Sequence, residues 1–97
     1  MSADVKNNAA RKRYELAVGD AIAVVTYDLR GDQIVLQHTE VPESLSGQGI
    51  GSALARGALD DARAHGLKVV PECPFIAGYL KRHPEYQDIV VQPPAGA

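Results

Sequence analysis

Hydrophobic and polar positions follow two different periods along the chain. Up to residue 41, apolar side chains either alternate with polar ones or form β-branched and aromatic runs, both typical of strands. The pattern predicts strands at 13–18, 21–29 and 33–41. Short turns containing Gly19 and Gly31 connect them, and such connections favour hairpins. These three strands are therefore predicted to form an antiparallel meander.

From residue 50 onward, small apolar residues recur at helical spacing. This helix is predicted to begin near Ile50 and to end before Gly66, a typical C′ glycine. A strand at 67–71 follows, and a strand–helix–strand unit favours a parallel pair with a right-handed crossover. A second helix at 75–82, begun by Cys73-Pro74, and a last strand at 89–91 complete the pattern. The expected fold class is mixed α/β (α+β): a three-stranded meander, then a strand–turn–helix–strand–helix–strand core.

Length and composition indicate one small globular domain. We expect this domain at 11–92 of the 97 residues, with flexible termini at 1–10 and 93–97. The net charge of −2 argues against the basic surface that nucleic-acid binding requires. No apolar run approaches the roughly 20 residues that a membrane helix needs. The first 13 residues lack the apolar core of a signal peptide, so a cytoplasmic protein is expected, without nucleic-acid or membrane partners.

The segment Ser46-Gly47-Gln48-Gly49-Ile50-Gly51 stands where the strand pattern gives way to the first helix. Glycines at every second position leave the backbone N–H groups uncovered. A helix start also carries unpaired donors and a partial positive charge, so the turn is predicted to hold a diphosphate. Two other glycine-rich motifs do not match this segment. A nucleotide P-loop needs a lysine after its last glycine, and a dinucleotide fingerprint needs one more residue between its second and third glycines.

Three hairpin-linked strands, this turn, and the helix–strand–helix that follows resemble the GCN5-related N-acetyltransferases. The motif of that family is Gln/Arg-x-x-Gly-x-Gly/Ala, and Ser46 stands at its first position here. A closer resemblance is to the small single-domain members of the family. Two stretches carry it: His38-Thr39-Glu40-Val41-Pro42, and Cys73-Pro74-Phe75-Ile76 continuing to Tyr79-Leu80-Lys81-Arg82-His83-Pro84-Glu85-Tyr86. The resemblance covers residues 14–91.

The resemblance implies acetyl-CoA as cofactor and a primary amine of unknown identity as acceptor. We expect a monomer or weak homodimer. The residues implied in cofactor binding are Val41, Ser46, Gly47, Gln48, Gly49, Ile50, Gly51 and Ser52. The pantetheine arm is expected beside residues 38–41. No metal ligand is assigned.

Four residues are the main candidates for chemistry, and a fifth is a weaker one. His38 and Glu40 are two positions apart on one strand, so they should share a sheet face, and either could act as general base. Cys73, the single cysteine, is either a nucleophile at a helix start or a small buried side chain. The wider family implies that Tyr79 protonates the departing thiolate, with Tyr86 as a weaker candidate.

Two alternatives to direct acetyl transfer remain open at this point. The chain lacks the N-terminal helices that build an acceptor site in larger members, and Ser46 replaces a long donor. Both features favour a non-catalytic CoA-binding or interaction module. A covalent route would instead pass through an acetylated Cys73.

Overall fold

A five-stranded sheet forms the centre of the fold in the computed structural model, which describes residues 5–91. The strands are β1 (Lys6–Asn8), β2 (Arg13–Val18), β3 (Ala21–Arg30), β4 (Gln33–Glu40) and β5 (Lys68–Pro71), and they lie in this order across the sheet. The helices are α1 (Ile50–Ala64) and α2 (Pro74–Arg82). Short 3-10 helices occupy Ala9–Arg11, Glu43–Leu45 and Pro84–Ile89. No helix within residues 5–91 has the length and apolar character needed to span a membrane.

The mixed α/β class and the meander are confirmed. β2, β3 and β4 pair as antiparallel neighbours, and β5 joins β4 in parallel through the crossover helix α1. α1 ends as expected, since Gly66 follows its C-cap with a φ of +68°. A left-handed conformation of this kind costs glycine little.

Both helices contribute to the same core as the inward face of the sheet. The face that α1 buries is largely alanine, with Ala55, Ala58 and Ala62 almost fully enclosed. Small side chains let a helix lie close to a sheet, which keeps the domain thin. The largest fully buried side chains of this core are Tyr14, Val25, Ile34, Leu36, Leu54, Leu59, Val69 and Ile76.

The N-terminal segment departs from the prediction of a flexible 1–10. Residues 6–8 form the edge strand β1 on β2. Val5 anchors this strand, because it fills the space beside Gly57 on α1; a Cβ atom at Gly57 would lie 2.5 Å from that of Val5. The side chain of Asn7 also accepts a hydrogen bond of 2.6 Å from the Tyr27 hydroxyl. The expectations for 1–4 and 93–97 fall outside the described residues.

The predicted strand at 89–91 is wrong in its extent. Pro84–Ile89 form a 3-10 helix, and strand pairing is reduced to a single parallel bridge between Val90 and Val69. The physical reason is the spacing of Tyr86 and Ile89, both buried, which stand three positions apart. A 3-10 helix places residues i and i+3 on the same side, so it buries both side chains together.

Candidate functional site

Glycine is favoured at each of the three positions of the glycine turn, for two different reasons. Gly47 and Gly49 have φ values of +80° and +72°, a region that side chains with a Cβ rarely adopt. Gly49 is the N-cap of α1. Gly51 lies in the first turn of the helix, where a Cβ would approach the tip of the Phe75 ring to 2.8 Å.

The backbone N–H groups of this turn are available to a ligand. On one side, the Ser46 N–H donates to the Glu43 carbonyl at 3.1 Å; on the other, the Ala53 N–H donates to the Gly49 carbonyl at 3.0 Å. Between them, the N–H groups of residues 47–52 form no backbone hydrogen bond of normal geometry in the part of the chain that the structure describes. No side chain caps the helix either. The donors of the first turn are thus concentrated at the positive end of the α1 dipole.

These donors border a cavity of about 450 Å³. The residues lining it are Thr39, Val41, Leu45, Ser46, Gly47, Gly49, Ile50, Gly51, Ser52 and Phe75. The structure therefore brings together all the predicted cofactor-binding residues except Gln48. The side chain of Gln48 instead donates to the Ser44 carbonyl at 3.3 Å, within the turn.

A β-bulge in β4 decides which residues of that strand reach the cavity. Tyr27 of β3 pairs with Leu36 and the preceding Thr26 pairs with His38, so Gln37 is an extra residue. After a bulge, the alternation of faces is reversed. Thr39, which pairs with the buried Val25, therefore lies on the helical side of the sheet.

His38 and Glu40 share a face, as predicted, but it is the face opposite the helices. Both side chains are exposed to solvent. Neither lines the cavity. Without the bulge, they would have continued the inward face of Ile34 and Leu36.

Cys73 lies at the N-cap of α2, where the sequence predicted a helix start. Its side chain is only 3% exposed, and its Sγ lies 3.2 Å from the Thr39 hydroxyl oxygen. The Cys73 N–H donates to the Leu36 carbonyl at 2.9 Å. Through Thr39, the thiol is connected to the cavity without lining it.

Tyr79 lies one helical turn after Phe75 on α2, and its ring is buried against His83 with a centroid separation of 4.0 Å. Its hydroxyl forms no hydrogen bond with another described residue, whereas the Tyr86 hydroxyl donates to Asp60 at 2.6 Å. Burial raises the pKa of the Tyr79 phenol, although the nearby Arg56 opposes this. Tyr79 is thus protonated at neutral pH and free to donate, but it too lies outside the cavity lining.

The sequence analysis missed three residues that line the cavity: Thr39, Leu45 and Phe75. Thr39 was missed because the bulge reverses the alternation of faces along β4, so the residue that points toward the cavity is not the one that the sequence pattern indicates. Phe75 carried a weak signal, as an aromatic residue directly after the proline that begins α2. Its position against Gly51 depends on a contact between distant parts of the chain.

Comparisons with known proteins identify the family and the fold that the chain is similar to. A family model described as GCN5-related N-acetyl-transferase matches residues 13–89. Protein NATD1 of Gallus gallus is 44% identical over 63 residues, which cover 64% of this chain and 57% of that protein. Protein NATD1 of Danio rerio is 32% identical over 92 residues, covering 90% of this chain and 84% of that protein.

The match to the Gallus gallus protein therefore spans little more than half of that relative's length. The solution NMR structure of a GCN5-like protein from Staphylococcus aureus, named as a candidate N-acetyltransferase, superposes with a TM-score of 0.72. It is 26% identical, and the match covers 98% of this chain and 94% of that one.

Proposed function

The chain belongs to the GCN5-related N-acetyltransferase family, and on this basis we propose that it binds acetyl-CoA and transfers the acetyl group to a primary amine. The observation that carries the proposal is the run of unpaired backbone donors at residues 47–52, bordering a cavity of about 450 Å³. Ligand cavities in proteins commonly have volumes in this range.

The glycine turn is proposed to bind the diphosphate of the cofactor. The donors of Gly49, Ile50 and Gly51 lie at the start of α1, where the helix dipole places about half a positive charge. Hydrogen bonds to an ionised acceptor are about twice as strong as neutral ones. The Ser52 hydroxyl, which lines the same cavity, can add a further donor.

The inward edge of β4 is proposed to hold the pantetheine arm. Thr39 and Val41 both line the cavity, as expected for an arm lying beside residues 38–41. When bound, acetyl-CoA supplies an activated acetyl thioester. The chain's contribution is then to hold this group next to the amine, since proximity alone can supply much of a rate enhancement.

His38 and Glu40 are exposed on the face of the sheet opposite the cavity, so neither is placed to take a proton from an amine that attacks a thioester held in the cavity. Tyr79 is proposed to donate a proton to the departing thiolate. Its hydroxyl, which forms no hydrogen bond with another described residue and is protonated at neutral pH, supports this role.

A second candidate function, a CoA-binding module without catalysis, has its own support. None of His38, Glu40, Cys73 and Tyr79 lines the cavity. The binding part of the site is therefore more complete than the chemical part. A covalent route through Cys73 draws less support, because the thiol is 3% exposed and already contacts Thr39.

Calorimetric titration with acetyl-CoA tests the proposed binding. Saturable heat that is abolished by competing CoA supports it, and no heat or thermal shift at millimolar ligand contradicts it. Release of the CoA thiol in the presence of peptides, polyamines or small amines then tests transfer. Binding without turnover on any amine would favour the non-catalytic module.

Matched variants test the assigned residues. Tyr79→Phe should lower turnover while leaving acetyl-CoA binding intact. Tyr86→Phe is the control, because its hydroxyl is engaged by Asp60 and its loss should affect stability alone. Full activity in Cys73→Ala, with no acetylated intermediate by intact-mass analysis, would exclude the covalent route.

A further inference from the structure

Resting on the proposed function, we infer that Thr39 is a catalytic residue and that Cys73 is its positioning residue. The Thr39 hydroxyl donates a hydrogen bond to the carbonyl oxygen of the acetyl thioester, and the Cys73 thiol holds the hydroxyl in that direction. The buried cysteine thus has a role other than that of a nucleophile.

The first observation is the position of hydroxyl groups around the cavity. Of the described residues that line it, three carry a hydroxyl. Ser46 and Ser52 belong to the glycine turn and the first turn of α1, whereas Thr39 lies on β4. Thr39 precedes Val41 by two residues of extended chain, about 7 Å, on the side away from the turn. With the diphosphate at the turn and the arm beside β4, the acyl end of the ligand reaches Thr39.

The second observation is the contact between Thr39 and Cys73. The Thr39 hydroxyl oxygen lies 3.2 Å from Cys73 Sγ, which has no other hydrogen-bond partner within residues 5–91. The Cys73 backbone is fixed on both sides, since its N–H donates to the Leu36 carbonyl at 2.9 Å and its carbonyl accepts from the Ala77 N–H at 3.0 Å. Thr39 is β-branched and has few side-chain rotamers. The sulfur therefore has a defined position beside the hydroxyl.

The number of hydrogen bonds determines how this pair is oriented when a carbonyl group is present. Each of the two side chains has one proton to donate. If the thiol donates to the threonine oxygen, the hydroxyl proton is free for the carbonyl, and two hydrogen bonds form. If the hydroxyl donates to the sulfur, a weak acceptor, only one forms. The first arrangement is therefore favoured, and the thiol turns the hydroxyl toward the cavity.

Acetyl transfer benefits from a donor at this place. As the amine nitrogen bonds to the carbonyl carbon and loses its proton to water, an electron pair of the C=O bond moves to the oxygen. When that pair returns, the carbon–sulfur bond breaks, and the departing sulfur takes up the Tyr79 proton. The Thr39 hydroxyl stabilises the charge on the oxygen and gives up no proton. The described lining of the cavity carries no charged side chain and is largely apolar, so this hydrogen bond stabilises charge better than one in water.

Two ligands that differ in one group test the hydrogen bond without turnover. S-ethyl-CoA has a methylene group in place of the acetyl carbonyl. By calorimetry, the wild type should bind acetyl-CoA about fivefold more tightly than S-ethyl-CoA, the effect of one hydrogen bond. Thr39→Val, which has a similar shape but no hydroxyl, should lose this preference. Thr39→Ser should keep it.

Thr26→Val is the matched control. Thr26 is the other threonine of the chain, and it does not line the cavity. It lies between Val25 and Tyr27, which are buried on the helical side, so its own side chain is on the opposite face of the sheet. The ligand preference and the turnover of Thr26→Val should equal those of the wild type. Thermal melts of every variant establish that the chain is folded in the assay.

Steady-state kinetics separate a catalytic contact from one that only binds. Loss of one donor to a developing oxyanion lowers kcat by about 10²–10³. Thr39→Val should therefore lower kcat about 100-fold and raise the KM for acetyl-CoA far less, whereas Thr39→Ser should stay within about tenfold of the wild type. A contact made equally in the ground state and the transition state would instead raise KM and leave kcat unchanged.

Variants of Cys73 test the positioning role. Cys73→Ala should reduce the preference for acetyl-CoA to about twofold and kcat by about tenfold. Cys73→Ser, whose hydroxyl can donate to Thr39, should restore both, without an acetylated intermediate by intact-mass analysis. On the Thr39→Val background, Cys73→Ala should change neither quantity further, because the hydroxyl that it positions is absent. Additive losses, or no rescue by serine in a folded variant, would overturn the positioning role.

The outcomes distinguish this inference from the proposed function. If the wild type binds acetyl-CoA and transfers acetyl, but Thr39→Val keeps the ligand preference or the kcat of the wild type, the role of Thr39 is wrong and the proposed function stands. Binding without turnover on any amine overturns the catalytic role. If the wild type binds neither acetyl-CoA nor S-ethyl-CoA, both proposals are overturned.

Discussion

Replacing Gly49 by alanine separates backbone strain from ligand binding, because a matched glycine exists elsewhere in the chain. Gly49 and Gly31 have φ values of +72° and +63°, and a Cβ at either position would meet no atom within 4 Å. Neither alanine creates a clash, so each variant is destabilised only by holding alanine in the left-handed conformation, which costs about 1–2 kcal/mol. The lower freedom of the unfolded chain offsets up to about 1 kcal/mol of this.

Both variants should therefore lose about 1 kcal/mol of the free energy of unfolding. For a domain of about 100 residues, this corresponds to a fall in Tm of about 4–8 °C. Thermal melts without ligand measure this loss. Similar losses for the two variants are expected, since the backbone conformation and the open space are alike.

The two variants should differ in their affinity for acetyl-CoA. In Gly49→Ala, a methyl group stands beside the donors of Ile50 and Gly51, and relief of the strained φ would turn these donors away. We expect the Kd for acetyl-CoA to rise at least about tenfold, equivalent to about 1.4 kcal/mol. Gly31→Ala, in the turn between β3 and β4, should bind like the wild type. Equal binding by both variants would refute the role assigned to the glycine turn.

Two further predictions concern stability. Burial raises the pKa of the Tyr14 phenol in the folded state, so its contribution to stability is complete below the unfolded pKa of about 10 and falls as the pH rises further. In urea titrations above pH 10, the wild type should lose up to about 1.4 kcal/mol per pH unit more than Tyr14→Phe, because the other buried tyrosines titrate in both proteins; the same slope in both proteins would contradict this. Gly57→Ala should displace Val5 and speed amide exchange in β1, because the new Cβ would lie 2.5 Å from Val5. Gly78→Ala, whose nearest neighbour is a side-chain nitrogen 3.8 Å away, should leave β1 exchange unchanged and serves as its control.

The sequence alone determined the elements whose signals are local. The strands at 13–18 and 21–29, the helix from Ile50 and the second helix at 75–82 all agree with the structure to within about two residues. Alternation, helical spacing and turn glycines act between residues that are close in sequence, so they can be read without knowing the partners. The glycine turn was found in the same way.

Tertiary structure alone decided which side chains meet at the site. The bulge at Gln37 turned Thr39 toward the cavity and His38 and Glu40 away from it, and a pattern of apolar and polar residues does not show where a strand gains an extra residue. The contact of Phe75 with Gly51 joins two helix starts, and the edge strand β1 is held in place by Val5 beside Gly57, by pairing with β2 and by the hydrogen bond from Tyr27 to Asn7. These features depend on contacts between segments that are distant in sequence, and such contacts form only when the chain folds.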